Sequence, residues 1–131
     1  MNLEEFKKTD KYDEYIKENP GIGMLKIRAY AAREAVPVSG VKIEVSNEID
    51  GMEVIFYSGV TDESGMTDKI NLPVPKLDTN NMNLPNKMVY QFKASYPLNN
   101  FRMISSINMY DGICVVQNIV VTMNMEGDII D

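Results

Sequence analysis

The stretch Val60–Pro73 reads VTDESGMTDKINLP and contains the turn around which the rest of the chain is organised. An apolar run enters this stretch, and an alternating segment leaves it toward a proline. Asp62 can accept a hydrogen bond from the backbone two residues further on, and Gly65 can adopt the positive φ that closes such a turn. Thr61, Asp62 and Gly65 are therefore predicted to form a structural turn between two strands.

The segments on both sides of this turn alternate between apolar and polar residues, as half-buried strands do. Asp50–Gly51 and Asp111–Gly112 are both hairpin signals. On the third strand, Val54, Phe56 and Val60 are expected to face one way. Ile113 is expected to be the first residue on the buried face of the last strand. The spacing predicts an all-β fold, a seven-stranded antiparallel Greek-key β-sandwich of the prealbumin or immunoglobulin type.

Residues 1–21 do not alternate and are predicted to form a short helical N-terminal arm, because most of them are good helix formers. The arm should contain two helices that break near Thr9–Asp10, with a side-chain cap at the break. Its apolar residues either pack against the chain's own sandwich or dock on a neighbouring subunit. In the second case the interaction residues are Leu3, Phe6, Tyr12, Tyr15 and Ile16. The sandwich is predicted over residues 22–124, followed by an exposed acidic tail at 125–131.

The composition excludes several classes of function. The chain of 131 residues carries 13 Lys and Arg against 19 Asp and Glu, a formal net charge of −6. Nucleic acid and anionic membranes are therefore not expected partners, since both need a basic surface. The N-terminus lacks the features of a secretory signal, so we expect synthesis in the cytoplasm without a signal peptide. No histidine is present to serve as the base of a nucleophilic triad.

Two stretches resemble a known family. The stretch TDESGMTDKINLPVP, residues 61–75, resembles the Thr-Asp-x-x-Gly-x-Thr and Leu-Pro-x-Pro signature of carboxypeptidase-regulatory-like domains. The closest version is the clostridial one, found in spore-cortex-lytic and peptidoglycan-binding proteins. VQNIVVTM, residues 116–123, is similar to the closing strand of that family, whereas Asn100–Phe101 departs from its Gly-Tyr. The resemblance implies a prealbumin-like sandwich that carries no catalysis.

The residues argue against three kinds of chemistry. A transthyretin-like hydroxyisourate hydrolase is rejected because its site is built on histidines. An isopeptide bond between Lys26 and Asn118 is disfavoured because Lys26 alternates away from the core. Asp62, Glu63 and Asp68 could bind a hard cation, but their spacing matches no Ca²⁺ loop. No catalytic residue, cofactor or metal ligand is therefore predicted.

The sequence leaves two hypotheses for the function. The first is a structural module that binds other protein subunits, as part of a homo- or hetero-oligomeric phage or phage-tail-like particle, with the virion as its expected location. The second is a peptidoglycan- or carbohydrate-binding or regulatory module of a cell-wall hydrolase, in which Tyr57, Tyr96 and Tyr110 would stack on sugars.

Overall fold

A computed structural model describes residues 1–31, 36–77 and 86–122 of the chain. In these ranges the chain forms two four-stranded sheets and two short helices. The elements are α1 (Leu3–Phe6), α2 (Asp10–Glu18), β1 (Gly21–Ala31), β2 (Val36–Pro37), β3 (Lys42–Ile49), β4 (Met52–Val60), β5 (Ile70–Val74), β6 (Lys87–Tyr96), β7 (Phe101–Tyr110) and β8 (Cys114–Val121). The predicted acidic tail lies outside the described residues.

The two sheets pack face to face around one apolar core. In the first sheet β8 pairs with one side of β1, and β5 and β2 pair with the two ends of its other side. The second sheet has the order β4-β3-β6-β7. Every second side chain of the central strands is buried, as with Leu25 and Ile27 on β1 and Tyr90 and Phe92 on β6. The alternation of these strands thus produces a two-layered β fold.

The predicted count of seven antiparallel strands is wrong for the described residues, which contain eight. The additional strand is β2, where only Val36 and Pro37 pair with the end of β1. A pair of two residues has no period that a sequence pattern could reveal. β8 also runs parallel to β1, from Met24 opposite Cys114 to Ala31 opposite Val121. Alternation predicts which residues share a face but not the direction of the neighbouring strand.

Of the two predicted hairpins, one is present. Ile49 pairs with Met52 across Asp50–Gly51, whose φ angles of 50° and 80° are those of a two-residue hairpin turn. The hairpin predicted at Asp111–Gly112 is wrong. This turn connects β7 in the second sheet to β8 in the first, so the two strands do not pair with each other.

A β-bulge on β4 overturns the predicted orientation of Val60. The register between β3 and β4 shifts at Val45/Ser46, which leaves Phe56 as the extra residue on β4. Because a bulge exchanges the faces of the residues that follow it, Val54 is buried whereas Val60 is 57% exposed. Ile113 is likewise 51% exposed, since it lies in the turn before β8 rather than on the strand.

The arm forms the two helices that its composition predicts. Asn2 caps α1 by accepting a hydrogen bond from the backbone of Glu5, whose side chain accepts one from Asn2 in return. The predicted side-chain cap of α2 is absent, because the Thr9 hydroxyl donates backward to the carbonyl of Phe6 at 2.7 Å. In the described part of the chain, no helix has the length and apolar character needed to cross a membrane.

Candidate functional site

The turn at Thr61–Thr67 links the two sheets. The buried Thr61 hydroxyl donates to the carbonyl of Val38 at 2.7 Å and accepts from the N–H of Val41 at 3.0 Å. The N–H of Thr67 donates to the carbonyl of Ile27 on β1 at 2.9 Å. A single turn therefore holds the start of β3 in one sheet and the middle of β1 in the other.

Asp62 and Gly65 close this turn. The Asp62 carboxylate accepts hydrogen bonds from the N–H groups of Ser64 at 2.8 Å and Met66 at 3.0 Å. Gly65 has a φ of +75°, and its carbonyl accepts from the N–H of Ala29 at 2.7 Å. A Cβ atom at Gly65 would lie 2.4 Å from the backbone oxygen of Ala29. Only glycine fits this position without displacing β1.

The five candidate interaction residues of the arm face the chain's own sandwich. Phe6 has no exposed surface, and its ring packs edge to face with the rings of Tyr15 and Phe56. Leu3, Tyr12 and Ile16 are partly buried against the same cluster, which also contains Val54. Of the two roles considered for the arm, the geometry corresponds to packing on its own domain. These side chains do not form a free docking surface.

A chain of buried and partly buried hydrogen bonds connects the arm to both sheets. The Asn47 amide donates to the Tyr15 hydroxyl at 3.1 Å, and the two hydroxyls of Tyr15 and Tyr90 lie 2.8 Å apart. Tyr90 donates to the carbonyl of Pro73 on β5. Because a carbonyl only accepts, the Tyr90 proton points at Pro73 and Tyr15 must donate to Tyr90. Burial raises the pKa of Tyr15 and of Tyr90, and the neighbouring Tyr15 adds to the rise at Tyr90.

The first residues of the chain cover part of one sheet edge. The Met1 carbonyl accepts from the N–H of Ile55 at 2.8 Å, and the N-terminal ammonium donates to the carbonyl of Glu53 at 3.1 Å. Asn2 forms a parallel bridge with Ile55. The edge strand β4 is thus protected by added backbone pairing and by its bulge, two devices that prevent unwanted strand addition.

The opposite side of the sandwich has no such protection among the described residues. β7 pairs with β6 over its whole length without a register shift, and β8 pairs with β1 in the same regular way. Neither strand contains proline, and together they carry one charged side chain, Arg102, whereas charged residues make up 24% of the chain. Within residues 1–31, 36–77 and 86–122, each of the two strands has a partner on one side only. We call this surface the β7/β8 side.

A groove lies on the outer face of the second sheet, beside the β7/β8 side. Its volume of about 460 Å³ falls within the range of ligand sites. The lining residues come from all four strands and are Lys42, Ile43, Glu44, Ser58, Gly59, Val60, Lys93, Ala94, Ser95, Arg102, Met103 and Ile104.

The charged side chains that line this groove are mostly cationic. The strand register aligns Val60, Lys42, Ser95 and Arg102 in one row across the sheet. We call Lys42, Ser95 and Arg102 the cationic row. Lys93, in the next row, is ion-paired with Glu53 at 3.3 Å. Lys42 and Arg102 have no ion-pair partner in the part of the chain that the structure describes.

The other candidates for chemistry are not assembled into a reactive arrangement. Lys26 lies opposite Val116, and Asn118 opposite Arg28, on the outer face of the first sheet rather than in the dry core that an isopeptide bond requires. Asp62, Glu63 and Asp68 do not converge, and no group of three or more potential ligands occurs in residues 1–31, 36–77 and 86–122. Cys114 is exposed at the start of β8.

The three tyrosines proposed to stack on sugars do not share a surface. Tyr96 and Tyr110 lie at opposite ends of the β6–β7 pair, about 30 Å apart at the usual rise of a strand. Tyr57 and Tyr96 pack against the core cluster instead of standing free.

The cationic groove and the β7/β8 side were missed by sequence reasoning. Lys42 and Arg102 are sixty residues apart, and only the pairing of β3, β6 and β7 brings them into one row. The scarcity of charge in β7 and β8 was the one available signal, but a pair of buried strands would show the same scarcity.

Comparisons with known proteins identify a similar fold but no activity. No protein-family model and no curated protein matches the chain. Among solved structures, the Bacillus anthracis TIE protein is similar with a TM-score of 0.55 and 19% identity, over 78% of this chain and 16% of that one. This chain therefore spans only a small part of that protein.

Two further structures are also similar. Klebsiella pneumoniae 5-hydroxyisourate hydrolase has a TM-score of 0.46 and 14% identity, over 73% of this chain and 86% of that one. Transthyretin from Sparus aurata has a TM-score of 0.43 and 16% identity, over 76% of this chain and 90% of that one. At 19% identity, the likeness to the TIE protein concerns the fold alone.

Proposed function

We propose that the chain is a non-catalytic structural module that acts through protein–protein contacts, as a subunit of a phage or phage-tail-like particle. The observation that supports this proposal is the contrast between the two sides of the sandwich. One edge is covered by the N-terminal residues and distorted by a bulge, whereas the β7/β8 side has two regular strands with a single charge. Unprotected edges of this kind accept strands from other chains.

A second copy of the chain is a suitable partner for β7. Antiparallel pairing of two β7 strands about Ser105 brings Met103 opposite Ile107 and Phe101 opposite Met109 on the inner face. On the outer face, Arg102 then lies opposite Asn108, so like charges do not meet. Such a pair makes one continuous sheet from two copies, and repeated pairing through β8 extends the assembly.

Self-association tests this function. Ser105 and Gln117 are half-buried on the inner faces of β7 and β8. A strand that adds to either edge would bury a lysine at these positions, so the double lysine variant should not pair. Ser106 and Asn118 neighbour them but face outward and are exposed, so lysine there is the matched control. In sedimentation velocity over rising concentration, we expect wild type and the Ser106→Lys/Asn118→Lys protein to associate, and the Ser105→Lys/Gln117→Lys protein to stay monomeric.

Two results would contradict the proposal. One is a wild-type protein that stays monomeric at every concentration. The other is equal association of the two lysine variants, which would exclude the strand edges as the contact. Circular dichroism of each variant establishes that the sandwich is still folded.

The alternative is a glycan-binding or regulatory module of a spore-cortex or other cell-wall hydrolase, as the clostridial resemblance implies. The separation of Tyr96 from Tyr110 argues against a stacking platform for sugar rings. Co-sedimentation of the purified chain with cell-wall sacculi distinguishes the two functions, because saturable binding to sacculi would favour the alternative.

A further inference from the structure

We propose that the groove on the outer face of the second sheet binds an extended acidic peptide segment, with the cationic row holding one of its carboxylates. This surface differs from the strand edges of the proposed function, so peptide binding can be tested independently of self-association.

The geometry of the cationic row suits a single carboxylate. Lys42 on β3 and Arg102 on β7 are separated by β6, so their Cα atoms are about 10 Å apart, the width of two strand spacings. Long flexible side chains can close over this distance from both sides. Ser95 lies between them on the same row and provides a hydroxyl donor below the bound group. Arginine adds the planar, bidentate geometry that carboxylates prefer.

The charge of the groove differs from that of the whole protein. The chain has a net charge of −6, yet the groove lining contains Lys42, Lys93 and Arg102 against one carboxylate, Glu44. Lys93 is already paired with Glu53. Lys42 and Arg102, which have no ion-pair partner among the described residues, are thus available to an external anion. A local cationic site on an acidic protein attracts an acidic ligand while the surrounding surface limits non-specific binding.

The apolar rim of the groove favours a peptide over other anions. Val60 continues the row beside Lys42, and Ile104 lies next to Arg102 along the same face with 68% of its surface exposed. A ligand that fills the groove therefore needs apolar groups on both sides of its carboxylate. An extended peptide has this pattern when aliphatic residues lie two positions before and two positions after an acidic residue, because residues two apart share one face. Nucleic acids and phosphate do not have it. Two cationic side chains without an ion-pair partner among the described residues are also too few for a polyphosphate backbone.

Fluorescence anisotropy of a labelled probe peptide tests the proposal on the full chain. The probe is a short peptide with leucine or valine two positions before and two positions after each aspartate or glutamate and serine between them, and a second probe replaces each acid by its amide. We expect saturable binding of the acidic probe that weakens as salt is added. The Lys42→Glu/Arg102→Glu protein should bind it at least about tenfold more weakly, because both carboxylate contacts become repulsive.

The matched control is the Lys8→Glu/Lys69→Glu protein, which undergoes the same change in net charge at two exposed lysines that do not line the groove. Its affinity should stay within about twofold of wild type. Equal weakening in both variants would overturn the proposal, because the effect would then come from net charge alone. Equal binding of the amide probe, or no binding of the acidic probe to wild type, would also overturn it. Sedimentation of the same variants keeps this result separate from self-association.

Discussion

At the scale of single residues, Gly65 is a position where any side chain is poorly tolerated. Its positive φ alone would accept an asparagine or an alanine at moderate cost, as at other left-handed positions. The additional constraint is the approach of β1, whose Ala29 carbonyl would lie 2.4 Å from a new Cβ atom. Because that neighbour is backbone in a central strand, it cannot turn away as a side chain would. A substitution must therefore move either the turn or the strand.

Gly65→Ala should lower the free energy of unfolding by at least about 3 kcal/mol, since it adds a backbone clash to an unfavourable φ. Gly51→Ala is the matched control, because Gly51 has a φ of +80° with nothing within 4 Å of the added Cβ atom. It should cost only about 1–2 kcal/mol. Urea denaturation measures both variants, and equal losses would mean that the contact with Ala29 relaxes without cost.

At the scale of elements, the helical arm is part of the domain that it covers. α1 is a single turn and α2 has nine residues, and isolated helices of this length are marginal in water. Their stability comes from the aromatic cluster around Phe6 and from backbone pairing of the first residues with β4. The arm in return protects the edge of β4. Among the described strands, β7 and β8 remain long, regular edges, whereas the edge strands β2 and β5 are short and each contains a proline.

Phe6→Ala should lower the free energy of unfolding by about 3–5 kcal/mol, because it removes a fully buried ring from a packed cluster. Lys8→Ala, on the exposed surface of the same arm, should change it by less than about 0.5 kcal/mol. The measurement is urea denaturation of the purified chain. Unchanged stability of the Phe6→Ala protein, together with altered assembly, would instead support an arm that docks on a neighbouring subunit.

At the scale of the whole molecule, the path from Asn47 through Tyr15 and Tyr90 to Pro73 joins the arm, the second sheet and the first sheet. Both hydroxyls are buried. Ionisation of either tyrosine would remove the hydrogen bond that its hydroxyl donates and would leave a negative charge in a poorly solvated environment. The pKa values of Tyr15 and Tyr90 are therefore higher in the folded chain than in the unfolded chain, where tyrosine titrates near pH ~10.

A raised folded pKa means that these tyrosines stabilise the fold fully below about pH 10 and that this contribution is lost as the pH rises further. Each tyrosine should reduce stability by up to ~1.4 kcal/mol per pH unit in that range. Melting temperatures recorded from pH 8 to pH 11 should therefore fall more steeply for wild type than for Tyr90→Phe. Tyr90→Phe should also lose about 1–3 kcal/mol at neutral pH, since Pro73 and Tyr15 lose a partner. If the melting temperatures of wild type and Tyr90→Phe fall equally with pH, the pKa of Tyr90 is the same in the folded and unfolded chain.

The sequence by itself determined the two-layered β fold, the break in the arm and the hairpin at Asp50–Gly51. Each of these follows from short-range physics: the two-residue period of a strand, helix propensity and the φ angles of a tight turn. The same local signals could not distinguish the hairpin at Asp50–Gly51 from the crossing between sheets at Asp111–Gly112. Both are turns after a strand, and only the packing of the two layers decides where the chain goes next.

Only the tertiary structure decided which surfaces remain available. The bulge on β4 reverses the faces of the residues that follow it, and the pairing of β8 with β1 and of β7 with β6 leaves each of these two strands at an edge of its sheet. Lys42 and Arg102 meet in one row because β6 lies between their strands. These relations depend on register and strand order, which are set by contacts between residues far apart in the chain and leave no mark in any short stretch of sequence.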